Sequence, residues 1–149
     1  MAAMSDYLEN KLIDSLFRGQ AYTPPTSLYV GLLNTAPADT GGGTEVTGGA
    51  YARVQVASSL ANWAGTQAAA STTASTGNTA TTSNNAAITF PTPTANWSDS
   101  TNPTRYVGIY DAATGGNLLF YATLLIPKVI NQDDSISFTA GQLSFQLDN

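Results

Sequence analysis

Ile136 and Phe138, then Leu143, Phe145 and Leu147, set apolar side chains two residues apart, with Ser137, Ser144 and Gln146 between them. Only an extended chain puts residues i and i+2 on one face, so these segments predict strands with one buried and one wet side. The connection Thr139–Gln142 is short enough to make them a hairpin. Other β-prone runs lie upstream. Ser27–Leu33 is apolar on both faces and predicts a buried strand, with Gly31 marking a bulge or a close backbone approach. Tyr51–Val56 and Ala86–Phe90 are further strands. Arg105–Tyr110 and Leu118–Ile126 flank an Asp111–Asn117 turn containing Gly115 and Gly116, so they predict a hairpin. Short strands between turn signals make the chain mainly β: an antiparallel β-sandwich or jelly-roll-like barrel with one N-terminal α-helix.

That helix is expected over Ser5–Arg18. Leu8, Leu12 and Leu16 recur every four residues, with Ile13 and Phe17 beside them. Ser5 is a capping residue, Asp6 and Glu9 suit the positive end of the helix dipole, and Gly19 can take the left-handed position beyond the last turn. The apolar stripe must dock, either on the chain's own sheet or, as an arm, on a neighbouring subunit. Pro24-Pro25 then forces an extended entry to the body. The division is therefore residues 1–20 as helix or arm, and 21–149 as a single β-sandwich domain. The length of 149 residues suits one domain, which buries about 70% of the surface its unfolded chain exposes.

Two stretches read as loops. Residues 35–49 are rich in glycine, but they lack the lysine and the following helix of a phosphate-binding loop, so a surface loop is expected. Residues 66–85 are almost entirely Ala, Ser, Thr, Gly and Asn. Such a stretch buries too little apolar surface to order itself, and needs either an edge-strand role or a neighbour to hold it.

The composition argues against most chemistry. Histidine and cysteine are both absent, which removes ordinary zinc sites and the Ser-His and Cys-His nucleophile pairs. Charged residues make up 10% of the chain, against roughly 25% in a typical domain, and the net charge is −5. The five cations, Lys11, Arg18, Arg53, Arg105 and Lys128, are scattered and form no basic patch for nucleic acid or anionic lipid. No apolar run approaches a membrane span, and the N-terminus lacks the layout of a secretory signal. Asp39, Asp99, Asp111 and the pair Asp133-Asp134 fall in turns, where aspartate caps its own backbone. We expect no catalytic residue, no metal and no cofactor. Trp63 and Trp97, each preceded by Ala-Asn, are core residues in the plainer reading and interface anchors or carbohydrate platforms in the sharper one.

Five segments carry a resemblance: Tyr7–Asp14, Ser27–Leu32, Gly43–Arg53, Asn85–Pro91 and Val107–Leu119. Together they span nearly the whole chain. Glu-Val-Thr-Gly-Gly-Ala-Tyr-Ala-Arg (45–53) and Gly-Ile-Tyr-Asp-Ala-Ala-Thr-Gly-Gly (108–116) are the most specific of them. The chain resembles a family of small bacteriophage structural proteins labelled tail fibre proteins, which brings no catalytic motif. The resemblance implies a non-enzymatic protein at the virion surface, in contact with other virion proteins and with copies of itself. The chain has no sustained heptads and no repeat, so a capsid decoration or cement protein beside the major capsid protein is the first expectation. A tail-associated fibre component, bound to tail proteins and with a host glycan as a further partner, is the alternative. Leu8, Leu12, Leu16, Trp63 and Trp97 are the interface candidates.

Overall fold

The computed structural model describes residues 2–68 and 70–147. Its centre is the pairing of two strands in which apolar residues and glycines interleave. β2 (Ser27–Leu33) runs antiparallel to β6 (Thr104–Tyr110), with Val30 opposite Ile109, Leu32 opposite Val107, and Gly31 opposite Gly108. Around this pair stand β1 (Ala2–Met4), β3 (Val54–Ala57) and β7 (Leu118–Lys128), giving a five-stranded antiparallel sheet of order β1-β7-β6-β2-β3. β6 and β7 form the expected hairpin. Asp111 closes its turn by accepting from the Asn117 backbone and side-chain amides, each at 2.7 Å, while Gly115 and Gly116 take positive φ.

One face of the sheet is dry. Val30, Leu32, Val107 and Ile109 project there into a core completed by Ile88, Phe90, Trp97, Leu143 and Phe145. The second layer consists of two short ribbons: β4 (Thr81–Ser83) with β9 (Ser144–Gln146), and β5 (Ile88–Thr89) with β8 (Ser137–Phe138). The fold is thus mainly β and antiparallel, with one helix near its N-terminus. Among the described residues no sheet closes into a barrel.

The expected β8–β9 hairpin does not form; each strand pairs with an earlier one. Asn84 is the reason. It is fully buried, and its side chain accepts from the Leu143 N–H at 2.9 Å and donates to the carbonyls of Ala86 at 2.8 Å and Thr139 at 2.9 Å. Its backbone also bonds to Gly141 and Leu143. Asn84 occupies the place a hairpin partner would take, and the turn at 139–142 wraps around it.

The glycine-rich loop is anchored within the chain. The Val46 N–H donates to the Leu32 carbonyl at 2.9 Å, and the Asn34 N–H to the Thr44 carbonyl at 2.8 Å. Residues 44–46 therefore extend the sheet beside β2, and Val46 enters the core. The low-complexity stretch is held by polar contacts of its own. Gln67 Nε2 donates to Ser71 Oγ and Thr73 Oγ1, each at 2.8 Å, and Thr66 Oγ1 accepts from the Gly77 N–H at 2.8 Å. Apolar burial is not what orders it, and β4 at its end supplies the strand pairing.

Helix α1 (Asp6–Phe17) follows β1 directly. Ser5 is its N-cap, accepting from the Leu8 N–H, and it also donates its hydroxyl to the Leu118 carbonyl. Arg18 is the C-cap and Gly19 has φ of +67°, as the sequence predicts. The helix start is thus tied to the start of β7, and Leu8 is its buried residue.

Candidate interaction surface

The two most specific sequence segments meet on the outer face of the sheet. Arg53 is held in a fork by Glu45, with Nε donating to Oε1 at 2.8 Å and Nη2 to Oε2 at 2.7 Å. Its Nη1 donates to the carbonyls of Ala112 and Gly115, each at 2.8 Å, and the guanidinium lies 3.4 Å from the centre of the Tyr110 ring. The Tyr51 hydroxyl donates to Glu45 at 2.8 Å and accepts from the Leu32 N–H at 2.8 Å. The floor beneath is glycine. A Cβ on Gly31 would stand 2.9 Å from the Glu45 carboxylate, and one on Gly108 would stand 2.8 Å from the Tyr110 ring. Gly31 thus admits side chains and not the neighbouring backbone expected from sequence. Glu45, Tyr51 and Arg53 come from one segment and Tyr110, Ala112 and Gly115 from the other, so the two segments form one internal clamp.

Burial pushes the Tyr51 hydroxyl well above the ordinary tyrosine range and raises Tyr110 to about 12. Tyr121 is also raised to about 12, chiefly because its hydroxyl donates to the Asp39 carboxylate. In the unfolded chain each phenol ionises near pH 10, so as pH rises the unfolded state sheds protons first. These contacts are therefore fully present below pH 10 and are lost as pH climbs through about 12. The thermal midpoint should fall across that window while phenolate absorbance lags behind that of free tyrosine. A midpoint that stays flat to about pH 12 would contradict the clamp.

The expected interface residues lie at three depths. Leu8 and Trp97 lie inside the body, as the plainer reading of the sequence had them. Trp97 is 4% exposed, donates its Nε1–H to the Gly49 carbonyl at 2.8 Å and meets the Tyr51 ring edge-on. It has no face to offer a sugar. Leu12 is half-buried against the core. Trp63 is also half-buried, bridged to Asn84, and its enclosed Nε1–H finds no acceptor among the described residues. Leu16, by contrast, is 73% exposed, and Phe17 and Ile13 beside it are 81% and 50% exposed. The helix is fixed at its N-terminal end and presents an apolar outer end to solvent. A second exposed apolar group, Leu125 and Ile126 on β7, was not anticipated from sequence, which gives Leu118–Ile126 only as one strand of a hairpin.

A family model described as podophage GP4 fiber I protein gp80 matches residues 3–146. The chain belongs to that family. No curated protein matches it in sequence. The matched span takes in α1, both ribbons and the sheet from Ala3 onward, so the gp80 fibre I match covers nearly all of the body described above. Membership makes the chain a virion structural protein of the fibre type. In this chain segments 45–53 and 108–116 hold the sheet's outer face together. No cluster of three or more metal-ligating side chains occurs among the described residues, and no helix described here is long and apolar enough to cross a membrane.

Proposed function

We propose that the chain is a non-enzymatic, tail-associated fibre component of a phage particle, attached to a neighbouring virion protein by the outer end of α1. Membership of the gp80 fibre I family carries this reading. It favours the fibre alternative over the capsid-decoration role, for which no contact or geometry speaks. The non-enzymatic reading is supported by where the charged residues go. Glu45, Arg53 and Asp111 are engaged in internal hydrogen bonds, and the groove lined by Leu124, Ile130 and Leu143 carries a single acid, Asp134, where hydrolysis of a glycoside needs a pair.

The attachment reading rests on Ile13, Leu16 and Phe17. Burying three such side chains on a partner would contribute on the order of 5 kcal/mol, and the isolated body leaves them in water. Replacing Leu16 and Phe17 together with lysine should leave folding stability within about 0.5 kcal/mol of wild type, because both side chains are exposed and cations suit the C-terminal end of a helix. Incorporation into particles, measured by gel densitometry of purified virions, should fall by roughly tenfold or more. Normal incorporation of the double variant would count against α1 as the attachment element.

A further inference from the structure

The β6–β7 ladder breaks near its far end. Tyr106 pairs with Thr123 and Thr104 with Lys128, so Leu124–Pro127 stand opposite Arg105 alone and bulge out of the sheet. A bulged edge that also carries a proline, which has no N–H to donate, is a poor template for a further strand. Behind the bulge, between the large sheet and the ribbons, opens a groove of about 850 Å³. Its floor is Leu32, Val107, Ile130 and Leu143, and Leu125, Ile126 and Val129 stand exposed at its rim. A cleft of this size, apolar from floor to rim, suits one small ligand.

The cations point to the class of that ligand. Arg18 and Arg53 are held in ion pairs, and Lys11 lies over the Tyr7 ring, 5.7 Å from its centre. Arg105 and Lys128 have no acidic partner among the described residues, and both stand at this groove, Lys128 in its wall and Arg105 across from the bulge. Two acids lie near. Asp134 is also in the wall, and Asp99 follows Ser98, whose hydroxyl donates to the Lys128 carbonyl at 3.1 Å. Each is turned onto its own backbone. Asp134 accepts from the Asn131 N–H, and Asp99 from those of Thr101 and Asn102, all at 2.8 Å. In a chain of net charge −5, the two cations without an acidic partner therefore meet at the mouth of an apolar groove.

We propose that the groove binds a single anionic amphiphile, a long-chain carboxylate whose acyl chain lies on the aliphatic floor and whose head group meets Lys128 and Arg105. The bulged edge argues against an extended peptide, which needs a regular strand to pair with. An uncharged apolar ligand would give the cations nothing to bind. Affinity then grows with the length of chain taken out of water, and the cations select the sign of the head group. No residue of α1 lines the groove, so the site is separate from the attachment element.

The test is isothermal titration of the full chain with decanoate, dodecanoate and decanol. Dodecanoate should bind once per chain and roughly tenfold more tightly than decanoate, because two further methylenes leave water. Decanoate should bind roughly tenfold more tightly than decanol, which carries no charge for the cations. Lys128→Gln together with Arg105→Gln should abolish that preference for the anion and leave decanol binding as it was. Leu125→Asp, at the exposed rim, should weaken dodecanoate roughly tenfold while the melting temperature stays that of wild type. The proposal is overturned if no binding is seen at about 1 mM dodecanoate, if many molecules bind per chain, if acid and alcohol bind equally, or if either variant binds as wild type does. It is equally overturned if the chain sediments with phosphatidylglycerol vesicles yet takes up no dodecanoate, since the bulge would then be a membrane contact and not the rim of a site. Because the chain is tested alone, none of these failures touches the fibre reading, and a failure of the α1 variant leaves this one standing.

Discussion

Arg53→Ala should lower folding stability by about 3 kcal/mol. The side chain is 7% exposed, and its four hydrogen bonds end on both Glu45 oxygens and the carbonyls of Ala112 and Gly115; of these only Glu45 Oε1 keeps another donor, the Tyr51 hydroxyl. Removing one member of a buried ion pair leaves the other uncompensated, at roughly 3–5 kcal/mol. Glu45 is 24% exposed, so water compensates part of the loss and the lower end applies. Arg53→Lys keeps the charge but not the fork or the stacking on Tyr110, and should cost about half as much. Urea unfolding monitored by tryptophan fluorescence gives both values. A loss below about 1 kcal/mol for the alanine variant would mean the clamp is a surface decoration and not a fixing point.

Asn84→Ala should be more damaging, at about 4 kcal/mol. It strands the buried N–H of Leu143 and the carbonyls of Ala86 and Thr139, each worth roughly 1–3 kcal/mol when left unpaired. Asn84→Asp tests the direction of these bonds. Aspartate keeps the acceptor for Leu143 but points a second oxygen at two carbonyls, so it should be no better than alanine. If aspartate matched wild type, the amide donors would not be what holds the ribbons apart.

The residues that show what a sequence can and cannot disclose are the same ones. The ends of α1 were legible because capping is local: Ser5, Arg18 and Gly19 act within a turn of the helix they bound. The β6–β7 hairpin was legible for a similar reason, since Asp111 and the two glycines build their turn from adjacent residues. β8 and β9 alternate as cleanly as any pair in the chain, yet they do not pair, because the competitor is Asn84, more than fifty residues away. Nothing in the neighbourhood of Thr139 announces it. β1 carries no strand signature, and its pairing comes from the free edge of β7.

The candidate surface was legible only in part. The spacing of Leu8, Leu12 and Leu16 marks a helical stripe but not the place where the body underneath ends, so buried and exposed members look alike. Only the sheet's extent separates Leu8 from Leu16. The specific segments at 45–53 and 108–116 were visible as motifs, but their role was not. It depends on Gly31 and Gly108 facing each other across two strands, which is a matter of register. The protrusion at Leu125 has the same origin. A ladder that slips by several residues turns the end of a predicted hairpin strand into a knob.

The fibre assignment is tested most directly by finding the chain on intact virions, with gold-labelled antibody and quantitative gel densitometry on the same preparation. The account predicts label at the tail and a copy number far below that of the shell protein. Dense, even label over the head in shell-protein stoichiometry would contradict it and make this a capsid decoration.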